Sequence, residues 1–478
     1  MIENNSKLEI KKIVASDRNH VWHHLTQHQQ FVDADPMVIV KGDGMHVWDA
    51  KDNKYLDAVS GAVWTVNVGY GRTEIADAVR EQLITLNYFA QTAGNIPAAQ
   101  FAEKLISKMP GLNRVYYSNS GSEANEKAFK IVRQIAAKKY DGKKYKILFR
   151  ERDYHGTTIT ALSATGQFER KNQYGPFTPG FIEVPHCCEY RSQWGDVDDY
   201  GLRAANEIER VILAEGPETV GAICLEPITA GGGVIEPPQG YWERVQEICK
   251  QYDILLHIDE VVCGLGRTGE WFGYQHYGVK PDIVTMAKGL ASGYAAISCT
   301  VTTEAVFNAF KEDDDARMGY FRDISTFAGC TAGPAAALAN MKIIEDENLL
   351  ENVTHQGEYL IGRLKMLKTK YNVIGDVRGK GLFVGFELVK DRKTKEPVDE
   401  SLIINIAGHC MKNGVIIGRT NRSFKDFNNT ICLSPAFIIT RENIDDIIQA
   451  LDNALAYLAP NTAYPNSELS LELSSDFS

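Results

Sequence analysis

The stretch that decides the fold is Ile254-Leu255-Leu256-His257-Ile258-Asp259-Glu260. Its apolar run is too short for a helix and ends abruptly in two acids. A buried parallel strand has this appearance when it delivers a side chain at its carboxyl end. A glycine-rich loop follows, with Gly264, Gly266 and Gly269. A second apolar run, Asp282-Ile283-Val284-Thr285-Met286, then ends at Ala287-Lys288-Gly289. One strand end presents a carboxylate and another an amine. Open α/β sheets bind ligands at that edge. Taken singly, Asp259 also reads as a helix cap and Lys288 as a solvated rim residue.

Outward from this stretch, apolar strands alternate with amphipathic helices from about residue 70 to 330. The pattern predicts an α/β fold with a central, mostly parallel sheet and helices on both faces. Strands are expected at 114–117, 146–149, 181–184, 220–225, 254–258, 283–286 and 296–301. Residues 1 to about 35 read as a helical arm with His20, His23, His24 and His28 on one face, and short antiparallel strands follow to residue 57. The arm has neither interleaved acids nor an HExxH spacing, so a packed face is favoured over a metal site. From 331 to 459 helices and strands mix differently. Residues 1–69 and 331–459 are therefore expected to form a smaller α+β domain beside a large domain of 70–330, with 460–478 as a loosely ordered tail.

Composition narrows the function. The 478 residues carry a formal charge of −11, which argues against a nucleic-acid footprint. No run approaches the roughly 20 apolar residues of a membrane span, and no apolar signal follows Met1. Nine scattered cysteines read as reduced thiols in the cytoplasm.

Three further segments carry chemistry. Ser120-Gly121-Ser122-Glu123-Ala124-Asn125 joins a strand to a helix, where free N–H groups and the helix dipole favour a phosphate. A serine N-cap without ligand would look the same. Tyr154-His155-Gly156 offers an aromatic that could stack on a planar ring, and Cys224-Leu225-Glu226-Pro227 ends another strand in an acid. With Asp259-Glu260-Val261, Lys288-Gly289 and Ser325-Thr326-Phe327, these occur in the order and spacing of the class III aminotransferases, which the chain resembles over about residues 15 to 458. Those enzymes have fold type I, like aspartate aminotransferase, and use pyridoxal 5'-phosphate (PLP).

The resemblance implies a role for each matching residue. Lys288 holds the aldehyde as a Schiff base and moves the proton, while Asp259 pairs with the pyridine nitrogen. Tyr154 and Val261 flank the ring, with Glu226 near its hydroxyl. Ser120, Gly121 and Ser122 take the phosphate from their own subunit and Thr326 reaches it from a partner, in a homodimer or a pair of dimers. Trp64 walls the substrate space, and Arg419 clamps an acidic group with its planar fork, a role for which Arg422 competes. No metal is implied. Within the family, Gly329-Cys330-Thr331 and His20-Val21-Trp22-His23-His24 resemble the members that use taurine and pyruvate. A different ω-amino donor such as β-alanine, or a mutase, racemase or decarboxylase on the same scaffold, remains open. So does a non-catalytic protein that keeps the fold.

Overall fold

The computed structural model of the chain describes residues 7–33, 36–311, 318–420 and 428–459. Arg422 and the 460–478 tail lie outside them. The central sheet has seven strands, in the spatial order Arg114–Ser118, Ser298–Thr302, Ile283–Met286, Leu255–Asp259, Val220–Leu225, Lys146–Arg150 and Phe181–Val184. All pairings are parallel except those of Ser298–Thr302, which runs against both its neighbours. The seven expected strands are all present.

Strand pleating explains how the sheet buries both faces, because successive side chains point to opposite sides. Ile147, Phe149, Ala222, Cys224 and Ile283 pack with Phe129, Ile131, Val132 and Ile135 of the helix Gly121–Lys139. Their immediate neighbours Leu148, Ile223, Leu225 and Val284 instead join the core that holds Ile208, Trp242, Val245 and Ile248 of the helices Tyr200–Glu215 and Tyr241–Tyr252. Helices thus cover both faces, and the strand Val220–Leu225 is buried along its whole length.

Two smaller sheets flank this one. Ile39–Asp43, His46–Asp49 and Lys54–Asp57 form an antiparallel meander, and Lys54–Asp57 then pairs in parallel with Val415–Ile416 near the other chain end. Ile374–Lys380, Phe383–Asp391, Thr430–Leu433 and Gly418–Thr420 form the second sheet.

The histidine arm differs from its sequence reading. The helix Lys7–His20 stops at His20, and a second short helix starts at His28. Leu25 between them has φ of 51°, in the left-handed region, which a right-handed helix cannot propagate through. His23 instead meets Asp17 at 2.8 Å, and His28 meets Trp22 edge-on at 5.1 Å. Among the described residues no group of three or more His, Cys, Asp or Glu is arranged to hold a metal ion, and no helix is long and apolar enough to cross a membrane. All nine cysteines are free thiols.

One helix carries a test of this packing. The helix Leu349–Lys370 contains Gly357, against the chain at Gly381, and Gly362 on its open side. A β-carbon on Gly357 would lie 2.3 Å from the Gly381 carbonyl oxygen, whereas one on Gly362 meets nothing within 4 Å. Glycine costs a helix interior about 1 kcal/mol relative to alanine, so Gly362→Ala is expected to raise the melting temperature by roughly 1–2 °C. At Gly357 the backbone clash outweighs that gain, and Gly357→Ala is expected to lower it by at least about 3 °C. Calorimetry on both variants checks the opposite signs.

Candidate active site

The carboxyl ends of the central strands enclose a cavity of about 440 Å³. Ser120, Gly121, Ser122, Tyr154, Asp259, Val261 and Lys288 all line it, although they come from four separate stretches of the chain. Asn119, Asn125, His155, Gly156 and Thr65 complete much of the wall.

The anion end is built by the helix Gly121–Lys139. Ser120 is its N-cap and accepts the Glu123 N–H at 3.2 Å, while the first N–H groups of the helix have no intrahelical acceptor. Ser122 Oγ accepts the Thr157 N–H at 3.0 Å, leaving its own proton to donate. Glycine leaves room at two points of this cup. A β-carbon on Gly121 would sit 3.0 Å from Val261, and one on Gly156 would sit 2.6 Å from Ser122 Oγ.

At the other end, Asp259 is buried and accepts from His155 Nδ1 at 2.8 Å, the Val261 N–H at 3.0 Å and Asn125 Nδ2 at 2.8 Å. Burial pushes its carboxyl up, but these bonds and the nearby His155 outweigh it and hold the group below its ordinary value. Asp259 stays ionised. Lys288 opens a short 3₁₀ turn after its strand, with a left-handed φ of 42°. Such backbone strain costs a lysine of order 1–3 kcal/mol and concentrates at functional sites. Asn340 holds the turn from behind, donating to the carbonyls of Gly289 at 2.9 Å and Leu290 at 3.1 Å. Burial lowers the Lys288 ammonium, against the opposing pull of Asp259 and Glu226. The amine is thereby biased toward its neutral, reactive form.

The other expected site residues stand apart from this wall. Glu226 is buried behind Tyr154, accepting its N–H at 2.8 Å and the Ala230 N–H at 3.0 Å. Burial, with Asp153 and Asp259 close by, pushes its carboxyl well up. Trp64 stacks edge-on against Phe383 at 5.7 Å, and its neighbour Thr65 is the residue that lines the cavity. Arg419 donates to Glu400 at 2.6 Å, half-exposed and off the cavity wall. Thr326 is exposed on the short turn Thr326–Gly329.

Sequence reasoning did not single out Asn125 or Asn340. Both sit in helices, where asparagine reads as an ordinary polar position, and their partners lie 134 and 51 residues away in the chain. The signal that could have found Asn125 is its place in the first turns of a helix already suspected of holding a phosphate.

The cavity is therefore lined at one end by anion-binding N–H groups, at the other by an ionised carboxylate, and between them by an amine and an aromatic ring. That donor set fits a flat, phosphorylated, cationic ring. Comparison with known proteins agrees. Residues 29–455 match the family described as aminotransferase class-III. The chain is 65% identical over 447 residues to the hypotaurine/taurine–pyruvate aminotransferase of Paracoccus denitrificans, covering 94% of this chain and 97% of that one. It is 61% identical to the taurine–pyruvate aminotransferase of Rhodobacter capsulatus, with the same coverage. Among solved structures, an aminotransferase of Bacillus anthracis superposes with a TM-score of 0.89 at 40% identity, over 95% of this chain and all of that one. The ω-transaminase of Pseudomonas jessenii in complex with PMP gives 0.88 at 32% identity, over 94% and 99%. Sequence, fold and the chemistry of the cavity agree, and the chain belongs to the class III aminotransferases, an enzyme family of fold type I.

Proposed function

We propose that this chain transfers the amino group of taurine to pyruvate, giving sulfoacetaldehyde and L-alanine, with pyridoxal 5'-phosphate as cofactor. The observation that carries the reading is the convergence of Lys288, Asp259 and the Ser120-Gly121-Ser122 helix terminus on one cavity. The 65% and 61% identical relatives supply the donor and the acceptor.

When bound, the cofactor supplies an electron-withdrawing ring that stabilises negative charge at the donor carbon once its proton has left. The chain does the rest. Gly121 and Ser122 would hold the phosphate with their backbone N–H groups and the Ser122 hydroxyl. Tyr154 and Val261 would flank the ring, and Glu226 fixes Tyr154 from behind by accepting its N–H. Asp259 keeps the ring nitrogen protonated. Lys288 would anchor the aldehyde until the donor amine displaces it, and its freed amine, its basicity lowered by burial, would then take the proton from the amine-bearing carbon of taurine. The second half-reaction returns that proton to the carbon that becomes the α-carbon of alanine.

A sulfonate is ionised and has three acceptor oxygens, which suits a guanidinium. Arg419 is the proposed clamp. Its half-exposed pair with Glu400 is worth about 0–1 kcal/mol, less than the roughly 1.5–3 kcal/mol of a hydrogen bond to a desolvated charge, so an acidic substrate can draw it across. Trp64 backs the substrate side of the pocket through its neighbour Thr65. A cytoplasmic homodimer is the proposed assembly, with Thr326 serving the partner's phosphate. Leu86, Phe89, Ile324 and Phe327 are exposed on adjoining segments around Thr326, joined by the Phe89 N–H to the Gly329 carbonyl at 3.3 Å. An apolar patch of this kind marks an interface.

Four measurements test the reading. Lys288→Ala is expected to lower alanine formation by at least about 1,000-fold while the protein still folds; retained transfer would remove the central assignment. A panel of taurine, hypotaurine, β-alanine and putrescine with pyruvate, followed by alanine formation, should favour taurine; turnover of the others without taurine overturns the donor. In the same assay Arg419→Ala should cost taurine roughly 10–100-fold in kcat/KM and spare a simple alkylamine, and equal losses would leave Arg419 as a partner of Glu400 only. Phe327→Asp is expected to shift the protein to a monomer in light scattering and to weaken PLP retention.

A further inference from the structure

Behind Asp259 runs a line of buried polar groups that the proposed steps do not use. A carboxylate has about four lone-pair positions. Asp259 Oδ2 accepts from Asn125 and His155, and Oδ1 accepts the Val261 N–H. One position remains, and Asp259 faces the cavity.

Counting protons fixes the direction of the line. The end of the Asn125 amide that meets Asp259 also meets the His155 carbonyl oxygen at 2.6 Å. Both neighbours only accept, so this end is the NH₂ and the other is Oδ1. Thr285 Oγ1 donates to that Oδ1 at 2.7 Å, which uses the only proton of the hydroxyl. His257 Nε2 lies 3.0 Å from the same hydroxyl, so the imidazole must be the donor there. His257 is fully buried with Nδ1 unpartnered, and burial pushes its basicity down to about 3, so it remains neutral with its proton on Nε2. Asp259 pairs in register with Thr285 on the next strand, and His257, two residues earlier, shares its face of the sheet. Every group in the line is buried.

We propose that Asn125 is a positioning residue for Asp259, and that Thr285 and His257 extend it into a one-way donor chain that keeps Asp259 ionised with one lone pair open to the cofactor's ring nitrogen. This rests on the PLP reading above. Removing a donor leaves burial, which favours the neutral acid, less opposed, and the ring nitrogen then loses the partner that holds its proton.

Thr285→Val is the decisive variant, because it keeps the side-chain shape and cuts the chain one step behind Asn125 without touching Asp259. Titration of apoprotein with PLP is expected to show affinity lowered roughly 10-fold, with the pH profile of the visible band displaced. Thr285→Ser, which restores the hydroxyl, should recover both. Asn125→Leu should lower affinity further, by roughly 10–100-fold. With 1-deaza-PLP, whose ring carries carbon in place of the nitrogen, wild type and Thr285→Val should bind equally. Wild-type affinity and pH profile in Thr285→Val would overturn the donor chain, as would an equal loss with the deaza analogue, which would mark a packing defect. Should Asn125→Leu fail to fold, the threonine pair still decides. A wild-type protein that takes up no PLP would sink the cofactor reading itself, a result distinct from equal affinities among the variants.

Discussion

Asp259 is a carboxylate kept charged in the core, and much of the site's construction follows from what that demands. Burying an ionised acid without partners costs so much that it would take up a proton instead. Here three donors prevent it, and each comes from a different motif. Asn125 is the last residue of the serine-rich loop and helix start, His155 follows Tyr154, and the Val261 N–H continues the strand end itself. Segments more than a hundred residues apart must therefore meet at one atom pair. In meeting, they bring the phosphate cup, the aromatic ring and the lysine turn to the same cavity.

The same constraint shows why some of this was legible in the sequence. Buried parallel strands need unbroken apolar runs, so all seven strands of the central sheet stand out, and the strand ends point to the site. The reversed strand differs in sequence as well, since Ser298-Cys299-Thr300-Val301-Thr302 alternates polar and apolar residues although all five are buried. The lysine, the aspartate and the phosphate loop were legible as a set because their motifs are contiguous. Arg419 and Trp64 are read through family resemblance and Glu226 from its place at a strand end, and the surroundings of all three depend on distant contacts. Glu400 lies 19 residues from Arg419, Phe383 packs on Trp64 across the fold, and Glu226 spends both oxygens on backbone N–H groups. Helical periodicity also overreached in the histidine arm, since the first helix stops at His20 and the left-handed Leu25 separates it from the helix that starts at His28.

Strain is the second constraint. Lys288, Ser60, Ala62 and Trp64 all have positive φ, although none is glycine. At about 1–3 kcal/mol each, these conformations persist only where neighbours overdetermine them. Asn340 secures the lysine turn. Asp57 secures the other loop, accepting the Val59 N–H at 2.9 Å, the Gly61 N–H at 2.6 Å and the Tyr70 hydroxyl at 2.6 Å. At about 1 kcal/mol or more per hydrogen bond, and more to a charged acceptor, these bonds are of the size needed to offset the strain.

The two strained segments are also joined to each other. Arg267, on the glycine-rich loop after Asp259, supplies that link. It is fully buried and donates to Ser60 Oγ at 3.1 Å, Asn67 Oδ1 at 2.7 Å and the Leu382 carbonyl at 3.2 Å, with the Pro435 carbonyl as a further acceptor. Burial pushes its guanidinium down only to about 9, so it remains charged at neutral pH and binds these oxygens strongly. Asn67 in turn leaves Gly289 no room for a side chain, since a β-carbon there would lie 2.2 Å from its amide nitrogen. One cation thus ties the N-terminal loop, the lysine turn and the C-terminal sheet into a single frame. A lysine in its place would present one point charge where a planar fork now meets four acceptors from three parts of the chain.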